Sequence, residues 1–330
     1  MHILKKSIGY ITLCLLLGAL TCCGCSGDNR GGDSATSVDA SPSTGATESK
    51  GEMANHRPIR VVATYSILGD LVRNIGGEQI DLTVLVGPEG DAHTYEPTPQ
   101  DSRALANADL VFENGLGFEV WLEPLVQASQ SKARRVVVTE FIKPRELIVS
   151  NNRTEIDPHV WHLPENAMLM IQSITEALEQ ADPDHAQNYR QRTDAYLREL
   201  KTLSDWIATQ TASLPKERRK LVTTHDTFGY FADRYDFEVL SVLGSVSSES
   251  SDPSAGQVAE MIQRVRSLEI PAIFAENVLN PELTKQIAKE AGVTVVPRLY
   301  TDALGLLDSP GKDYLSMMRF NVQTIVEALR

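Results

Sequence analysis

The stretch from residue 183 to residue 214 limits the possible folds of this chain more than any other. It contains no glycine and, after Pro183, no proline. Six of its residues follow spacings of three and four, which places them on one face of a helix of about 30 residues, or about 45 Å. They are Tyr189, Thr193, Tyr196, Leu200, Leu203 and Ile207. The sequence therefore predicts one long connecting helix, with a two-helix coiled segment or a dimerisation seam as alternatives.

On both sides of this segment, short apolar runs alternate with amphipathic stretches. The predicted strands cover 60–65, 81–86, 110–113, 135–138, 220–224, 238–243, 272–275 and 294–298. The predicted helices cover 67–75, 102–108, 228–235, 254–268, 281–291 and 314–329. Strands separated by helices indicate parallel pairing with right-handed crossovers. The predicted fold class is α/β, with two lobes (59–182 and 215–330), each with a parallel sheet flanked by helices, joined by one long rigid helix (183–214).

The first 25 residues have the layout of a secretory signal, with Lys5 and Lys6 before an apolar run at 8–20. The run 20–25 resembles a bacterial lipobox, which predicts an exported protein in the periplasm or at the cell surface. Its lipid anchor would be carried by Cys25 or Cys23, and an ordinary cleaved signal is the alternative. Residues 26–58 are rich in small and polar residues, which predicts a disordered tether.

Composition narrows the possible chemistry. The formal net charge is −13 and the pI is about 5.0, so a phosphate backbone would be repelled, and we expect no nucleic-acid partner. All four cysteines lie within the first 25 residues, at Cys14, Cys22, Cys23 and Cys25. A metal site in the folded part must therefore use nitrogen and oxygen ligands.

Two histidines of the first half lie in loops braced by proline. His93 follows a predicted strand and a turn at 87–90, and Pro97 and Pro99 come soon after it. His159 lies between Pro158 and Pro164, beside a tryptophan, and such a setting holds a ligand rigidly. His162 is the rival to His159, and the two could share a site.

The second half places further polar residues where strands end. His225 follows the strand 220–224, at the edge of an α/β sheet where ligands bind. Asp302 follows the stretch 294–301, and no helix after it needs a cap. Glu276 follows 272–275, where a helix-capping role is equally possible. For His185, beside two aspartates, a surface or capping role is expected.

Three imidazoles and one carboxylate thus lie on loops, two from each half of the chain. Imidazole suits zinc and carboxylate is tolerated by it, so His93, His159, His225 and Asp302 could form a tetrahedral site. Because the spacing is not a local motif, composition alone makes this a weak inference.

Several segments together resemble one known family. The residues at 90–99, 157–161, 224–231, 299–305 and 314–321 closely resemble the zinc and manganese solute-binding lipoproteins of bacterial metal ABC transporters, the metal cluster A-I family. The resemblance covers nearly all of residues 59–330, in order. It implies that His93, His159, His225 and Asp302 are the metal ligands.

The same resemblance implies a function. The protein would capture a divalent transition metal ion between its lobes and deliver it to the permease subunits of an ABC transporter. It would act as a lipid-anchored monomer and not as an enzyme.

Two departures from the family pattern bear on the metal. Residues 94–158 contain no histidine, whereas many zinc-specific members carry a histidine-rich loop there, and this argues against a dedicated zinc scavenger. Manganese members more often have a glutamate at the third ligand position, where this chain has His225, and this favours zinc. We therefore expect zinc, with manganese as the alternative.

Two other functional classes are alternatives to a metal carrier. An exported zinc-dependent hydrolase would need an open coordination position and a base, for which Glu276 or Asp226 would serve. The sequence contains neither a His-Glu-x-x-His helix nor a Gly-x-Ser-x-Gly elbow. A metal-binding surface adhesin is the other class.

Overall fold

A computed structural model describes residues 57–149, 153–248 and 253–330. The predicted signal, its four cysteines and most of the predicted tether lie outside the described residues. No helix within the described ranges combines the length and the apolar character needed to cross a membrane. The predicted lobe bounds are not tested by the structure and stay a prediction.

The first half of the described chain forms a parallel four-stranded sheet with helices between its strands. Its elements are β1 (Ile59–Tyr65), α1 (Ser66–Gly76), β2 (Ile80–Val86), α2 (Pro99–Asn107), β3 (Leu110–Glu113), α3 (Leu122–Ser129) and β4 (Arg134–Val137). The strand order is β2-β1-β3-β4, and all three pairings are parallel. The apolar run of β1 is central and buried, as expected for a strand covered on both faces.

A hairpin that was not predicted follows this sheet. Strands β5 (Arg145–Val149) and β6 (Arg153–Asp157) pair antiparallel, with Arg145 opposite Asp157. No strands were predicted for this segment, so the hairpin adds an antiparallel pair to the predicted parallel sheets. Only three residues separate β5 from β6, too few for the crossover that a parallel pair requires.

The long connecting helix is confirmed. Helix α4 (Pro164–Ala181) is followed by a 3₁₀ turn and then by α5 (Ala186–Ala212), a continuous helix of 27 residues. All six residues of its predicted face are buried, and this helix packs against α1 and α4. The two-helix alternative is wrong, and the face proposed as a dimer seam is covered by the chain itself.

The second half repeats the alternation of strands and helices. Its elements are β7 (Lys220–Thr223), α6 (Gly229–Tyr235), β8 (Glu238–Ser241), α7 (Ala255–Ser267), β9 (Ala272–Glu276), α8 (Glu282–Ala291), β10 (Thr294–Leu299) and α9 (Tyr314–Leu329). Strands β7 and β8 pair in parallel, as do β9 and β10, and β7 lies beside β9. The predicted α/β fold class, with parallel sheets in both halves and one long helix between them, is confirmed.

Two apolar clusters hold these elements together. The larger contains residues from both halves, including Val62 of β1, Leu200 of α5, Phe274 of β9 and Ile325 of α9. The smaller lies wholly in the second half, among α7, α8 and the strands, and includes Val265. Because the larger cluster is continuous, the two halves are joined by buried apolar contacts as well as by α5.

Candidate metal centre

Four buried side chains from four separate segments meet at one point. His93 lies beyond β2, His159 two residues beyond β6, His225 two residues beyond β7, and Asp302 three residues beyond β10. One potential ligand atom from each lies within 4.8 Å of all the others. The position of each ligand beyond a strand's carboxyl end is the usual place for a binding site in α/β sheets.

The distances between the donor atoms match a common coordination sphere. His93 Nε2 lies 3.2 Å from His159 Nε2, and His225 Nε2 lies 3.1 Å from Asp302 Oδ2. Asp302 Oδ2 is 3.7 Å from His93 Nε2, and Asp302 Oδ1 is 3.5 Å from His159 Nε2. Ligands about 2.0–2.2 Å from a central ion in a tetrahedron are about 3.3–3.6 Å apart. The four side chains therefore fit one divalent ion.

The Asp302 carboxylate is otherwise without partners. Neither of its oxygens has a hydrogen-bond donor of normal geometry within the described part of the chain, although the side chain is fully buried. Burial opposes its ionisation, but the nearby imidazoles of His225, His159 and His93 outweigh burial and hold the pKa of Asp302 well below its usual range. A buried carboxylate that faces only imidazole nitrogens is an arrangement that a cation would complete.

A carboxylate orients the imidazole of His159. Asp157 Oδ1 lies 2.8 Å from His159 Nδ1 and also accepts the backbone N–H of His159 at 3.0 Å. A carboxylate accepts hydrogen bonds, so this contact places the ring proton on Nδ1 and leaves Nε2 free toward the other ligands. Asp157 lies in the segment 157–161 that resembles the family, but no role was predicted for it.

Glu276 does the same for His225. Its Oε2 lies 2.7 Å from His225 Nδ1, and its Oε1 accepts the backbone N–H groups of Thr224 and His225 at 2.6 and 3.0 Å. Burial disfavours the charged imidazole, but the attraction of Glu276 and Asp302 outweighs it and raises the pKa of His225 well above its usual value. A metal ion that binds here must therefore displace a proton.

Of the two roles that the sequence left open for Glu276, the structure does not show the helix cap. Helix α8 begins at Glu282, and it is the side chain of Asn280 that accepts the Glu282 backbone N–H at its start. Glu276 instead faces the end of β7, the neighbour of its own strand, where it contacts the imidazole of His225. No local sequence signal distinguishes these roles, because both put an acidic residue at the end of a strand.

His93 is held by backbone and aromatic contacts. The backbone N–H of His93 donates to Asp91 Oδ1 at 2.8 Å. Phe118 packs edge-on against the His93 ring, with the ring centres 4.7 Å apart. Burial lowers the pKa of His93 to about 3, although Asp302 acts in the opposite direction. The ring is therefore neutral at physiological pH, as a metal ligand must be.

The two other histidines within the described residues, His162 and His185, are not among the four residues that converge. His162 is fully buried, stacks on Phe228 with ring centres 4.3 Å apart, and is not one of the four converging residues. Of the two rival histidines, the structure brings His159, and not His162, to the cluster. His185 lies 2.7 Å from Asp182 at the start of α5, in agreement with a surface or capping role.

Comparison with known proteins identifies the family. The family model described as zinc-uptake complex component A, periplasmic, matches residues 61–328. The chain belongs to this zinc-uptake component A family. The resemblance found in the sequence motifs is thereby confirmed.

The proteins similar to this chain are named for different metals. The manganese-binding lipoprotein MntA of Halalkalibacterium halodurans is 33% identical over 282 residues, which is 86% of this chain and 92% of that protein. The iron-binding protein YfeA of Yersinia pestis is 30% identical, over 86% of this chain and 91% of its own length. The periplasmic zinc-binding protein TroA of Treponema pallidum has a similar structure, with a TM-score of 0.77 and 32% identity over 82% of this chain and 99% of TroA.

Proposed function

We propose that this protein captures a divalent transition metal ion with His93, His159, His225 and Asp302, and delivers it to the permease of an ABC transporter for import. The observation that carries the proposal is the convergence of four buried donor side chains from four separate segments at spacings that suit one ion. The family supports it, as do the relatives named as metal-binding lipoproteins and as transporter substrate-binding components.

Zinc is the first candidate for the metal. Three imidazoles and one carboxylate suit zinc on ligand chemistry, and manganese is the alternative, since relatives such as MntA are named for it. A site in which the protein supplies all four ligands is also typical of binding rather than of catalysis, which requires an open position for water. We therefore propose a carrier and not an enzyme.

Location and assembly follow from the same proposal. The protein would be exported, anchored to the membrane by a lipid on Cys25 or Cys23, and active as a monomer that contacts the permease. The proposed lobe bounds are 59–182 and 215–330. Two relatives that are named as manganese-binding lipoproteins support the proposed lipid anchor.

The test is metal binding by ligand variants. Protein purified without chelators is analysed for its metal content, and zinc and manganese are then titrated against a competing chelator. Nanomolar capture requires about 12 kcal/mol, or about 3 kcal/mol per ligand, so we expect Asp302→Ala and His225→Ala each to weaken binding about a hundredfold. His162→Gln is the control, because that histidine is buried nearby but outside the cluster.

The outcomes separate the hypotheses. Unchanged affinity in either alanine variant would remove that residue from the site. Turnover of ester, peptide or phosphate substrates by the zinc-loaded protein would favour the hydrolase, and capture of host or matrix protein instead of the permease would favour the adhesin.

A further inference from the structure

An ion cluster around Arg145 contacts the carboxylate that orients His159 and the aspartate that follows His225 in the chain. Arg145 is the first residue of β5, and its cross-strand neighbour in the hairpin is Asp157. The side chain is only 19% exposed, so its charge is largely removed from water. A guanidinium in such a position needs carboxylate partners, and it has three.

The first contact leads directly to His159. Arg145 Nη1 lies 3.3 Å from Asp157 Oδ2, while Asp157 Oδ1 is 2.8 Å from His159 Nδ1. The two oxygens of one carboxylate thus connect the guanidinium to the imidazole. A displacement of Arg145 would change the position of Asp157 and with it the orientation of the ring.

The other contacts lead to the segment that carries His225. Arg145 Nη1 lies 3.9 Å from Asp226 Oδ1, next to His225 in the chain, and Arg145 Nε lies 3.1 Å from Asp233 Oδ2 on α6. The backbone N–H of Arg145 also donates to the hydroxyl of Tyr230, which donates in turn to the carbonyl of Asp157. One residue therefore contacts both halves of the chain beside the metal centre.

Helix α6 packs closely against the Arg145–Asp157 pair. At Gly229, the first residue of α6, an added Cβ would lie 2.3 Å from Arg145 Nη1 and 2.4 Å from Asp157 Oδ2. Real Cβ atoms do not approach other atoms this closely. Helix α6 thus begins directly against the Arg145–Asp157 pair, and only glycine at its first residue fits the present positions of the two side chains.

We propose that Arg145 is a positioning residue that holds His159 and His225 at the mutual placement required for metal binding. The inference rests on the proposed function, since it concerns the same four ligands. It assigns to the hairpin β5–β6 the role of carrying the residue that joins the two ligand segments.

The sign of the effect distinguishes positioning from simple electrostatics. A positive charge near a cation site repels the incoming metal ion, so a purely electrostatic role predicts tighter binding when Arg145 is neutralised. A positioning role predicts weaker binding from the same change, because Asp157 and Asp226 lose their common partner.

The experiment compares Arg145→Gln, Arg145→Lys and Arg135→Gln. Arg135 is the matched control, because it also contacts two carboxylates, Glu113 at 2.8 Å and Glu123 at 2.6 Å, away from the ligands. The zinc dissociation constant is measured by chelator competition. We expect Arg145→Gln to weaken binding about 10- to 100-fold, Arg145→Lys to weaken it less, and Arg135→Gln to leave it unchanged. Unchanged or tighter binding by Arg145→Gln would overturn the proposal.

A readout without metal separates this inference from the proposed function. In ¹⁵N-histidine NMR spectra of the metal-free proteins, Arg145→Gln should shift or broaden the Nδ1–H signal of His159, and Arg135→Gln should not. If the wild-type protein bound no zinc or manganese, the proposed function would fail, while an unperturbed His159 signal would overturn the positioning role. Arg145→Lys keeps the charge and carries both tests if Arg145→Gln does not fold.

Discussion

At the scale of single residues, two carboxylates outside the group of four converging residues orient its histidines. Asp157 and Glu276 each contact the Nδ1 atom of a histidine whose Nε2 faces the other converging residues. This arrangement fixes the orientation of each ring in the metal-free protein, which would reduce the cost of ordering the proposed site when a metal ion binds.

This orientation leads to a prediction for Glu276. The variant Glu276→Gln keeps one oxygen acceptor but loses the charge that faces His225, so we expect metal affinity to fall by about tenfold or more. Affinity is measured by chelator competition, beside the thermal unfolding of the metal-free protein. Glu282→Gln, in the exposed first turn of α8, is the control. Equal affinity in wild type and Glu276→Gln would show that Glu276 does not orient the ligand.

The four converging residues could be chosen from the sequence, but their supporting carboxylates could not. His93, His159, His225 and Asp302 each lie beyond a recognisable strand or between prolines, and these are local signals. The partner of His225 lies 51 positions away, at the end of a strand adjacent to β7 only in the folded protein. Sequence patterns do not contain that adjacency.

At the scale of elements, helix α1 meets the start of α9 through a buried carboxylate. Asp70 of α1 accepts the backbone N–H of Tyr314, the first residue of α9, at 3.0 Å. Burial raises the pKa of Asp70 to about 6, and Asp313 nearby acts in the same direction. The contact satisfies a helix N-terminus, while the charge is held in a poorly hydrated place.

The sign of the resulting pH dependence can be worked out. The folded pKa of Asp70 lies above the ordinary value of about 3.9, so the folded state binds this proton more tightly than the unfolded state. Its contribution to the free energy of unfolding is therefore lost as the pH rises from about 4 through 6. We expect Asp70→Asn to be more stable than wild type by up to about 3 kcal/mol at pH 7.5, with the gain largely lost at pH 4.

Urea unfolding at the two pH values measures this difference. Asp81→Asn, at an exposed position of β2, is the matched control and should show no such pH-dependent gain. A less stable Asp70→Asn protein at pH 7.5 would mean that the charge on Asp70 stabilises α9 more than burial penalises it.

The elements themselves were predictable to different degrees. The period of three and four in α5 and the apolar runs of β1 and β3 are strong local signals, and those elements were found. The hairpin β5–β6 was missed because its strands carry charged residues such as Arg145 and Glu155, which mask the apolar alternation. Arg145 instead contacts Asp233 and Tyr230 of α6, and Asp157 contacts His159, and such long-range contacts are not visible as a local pattern.

At the scale of the whole molecule, the proposed metal site and the larger apolar cluster both connect the two halves. A ligand that binds only the folded state stabilises everything that must be folded to form its site. We therefore expect one unfolding transition for the described residues, and zinc at a hundredfold excess over its dissociation constant should add about 2.7 kcal/mol. Protons compete with metal for imidazole, so this gain should shrink as the pH falls from 7.5 to 5.

Differential scanning calorimetry with and without zinc at both pH values provides the measurement. For a unit of this size the expected shift in Tm at pH 7.5 is about 5 °C. A zinc-free buffer that contains magnesium is the control, because magnesium prefers oxygen ligands. Two transitions of which zinc moves only one would contradict a site shared by both halves.

The order of the four converging residues along the chain has a consequence for biosynthesis. Three of them have been synthesised once residue 225 is complete, but Asp302 is added 77 positions later. A nascent chain shorter than this presents imidazoles without the carboxylate that the proposed site requires. Tight capture of an ion would therefore have to await the synthesis of Asp302, which would keep the shorter nascent chain from withdrawing metal from the compartment where it is made.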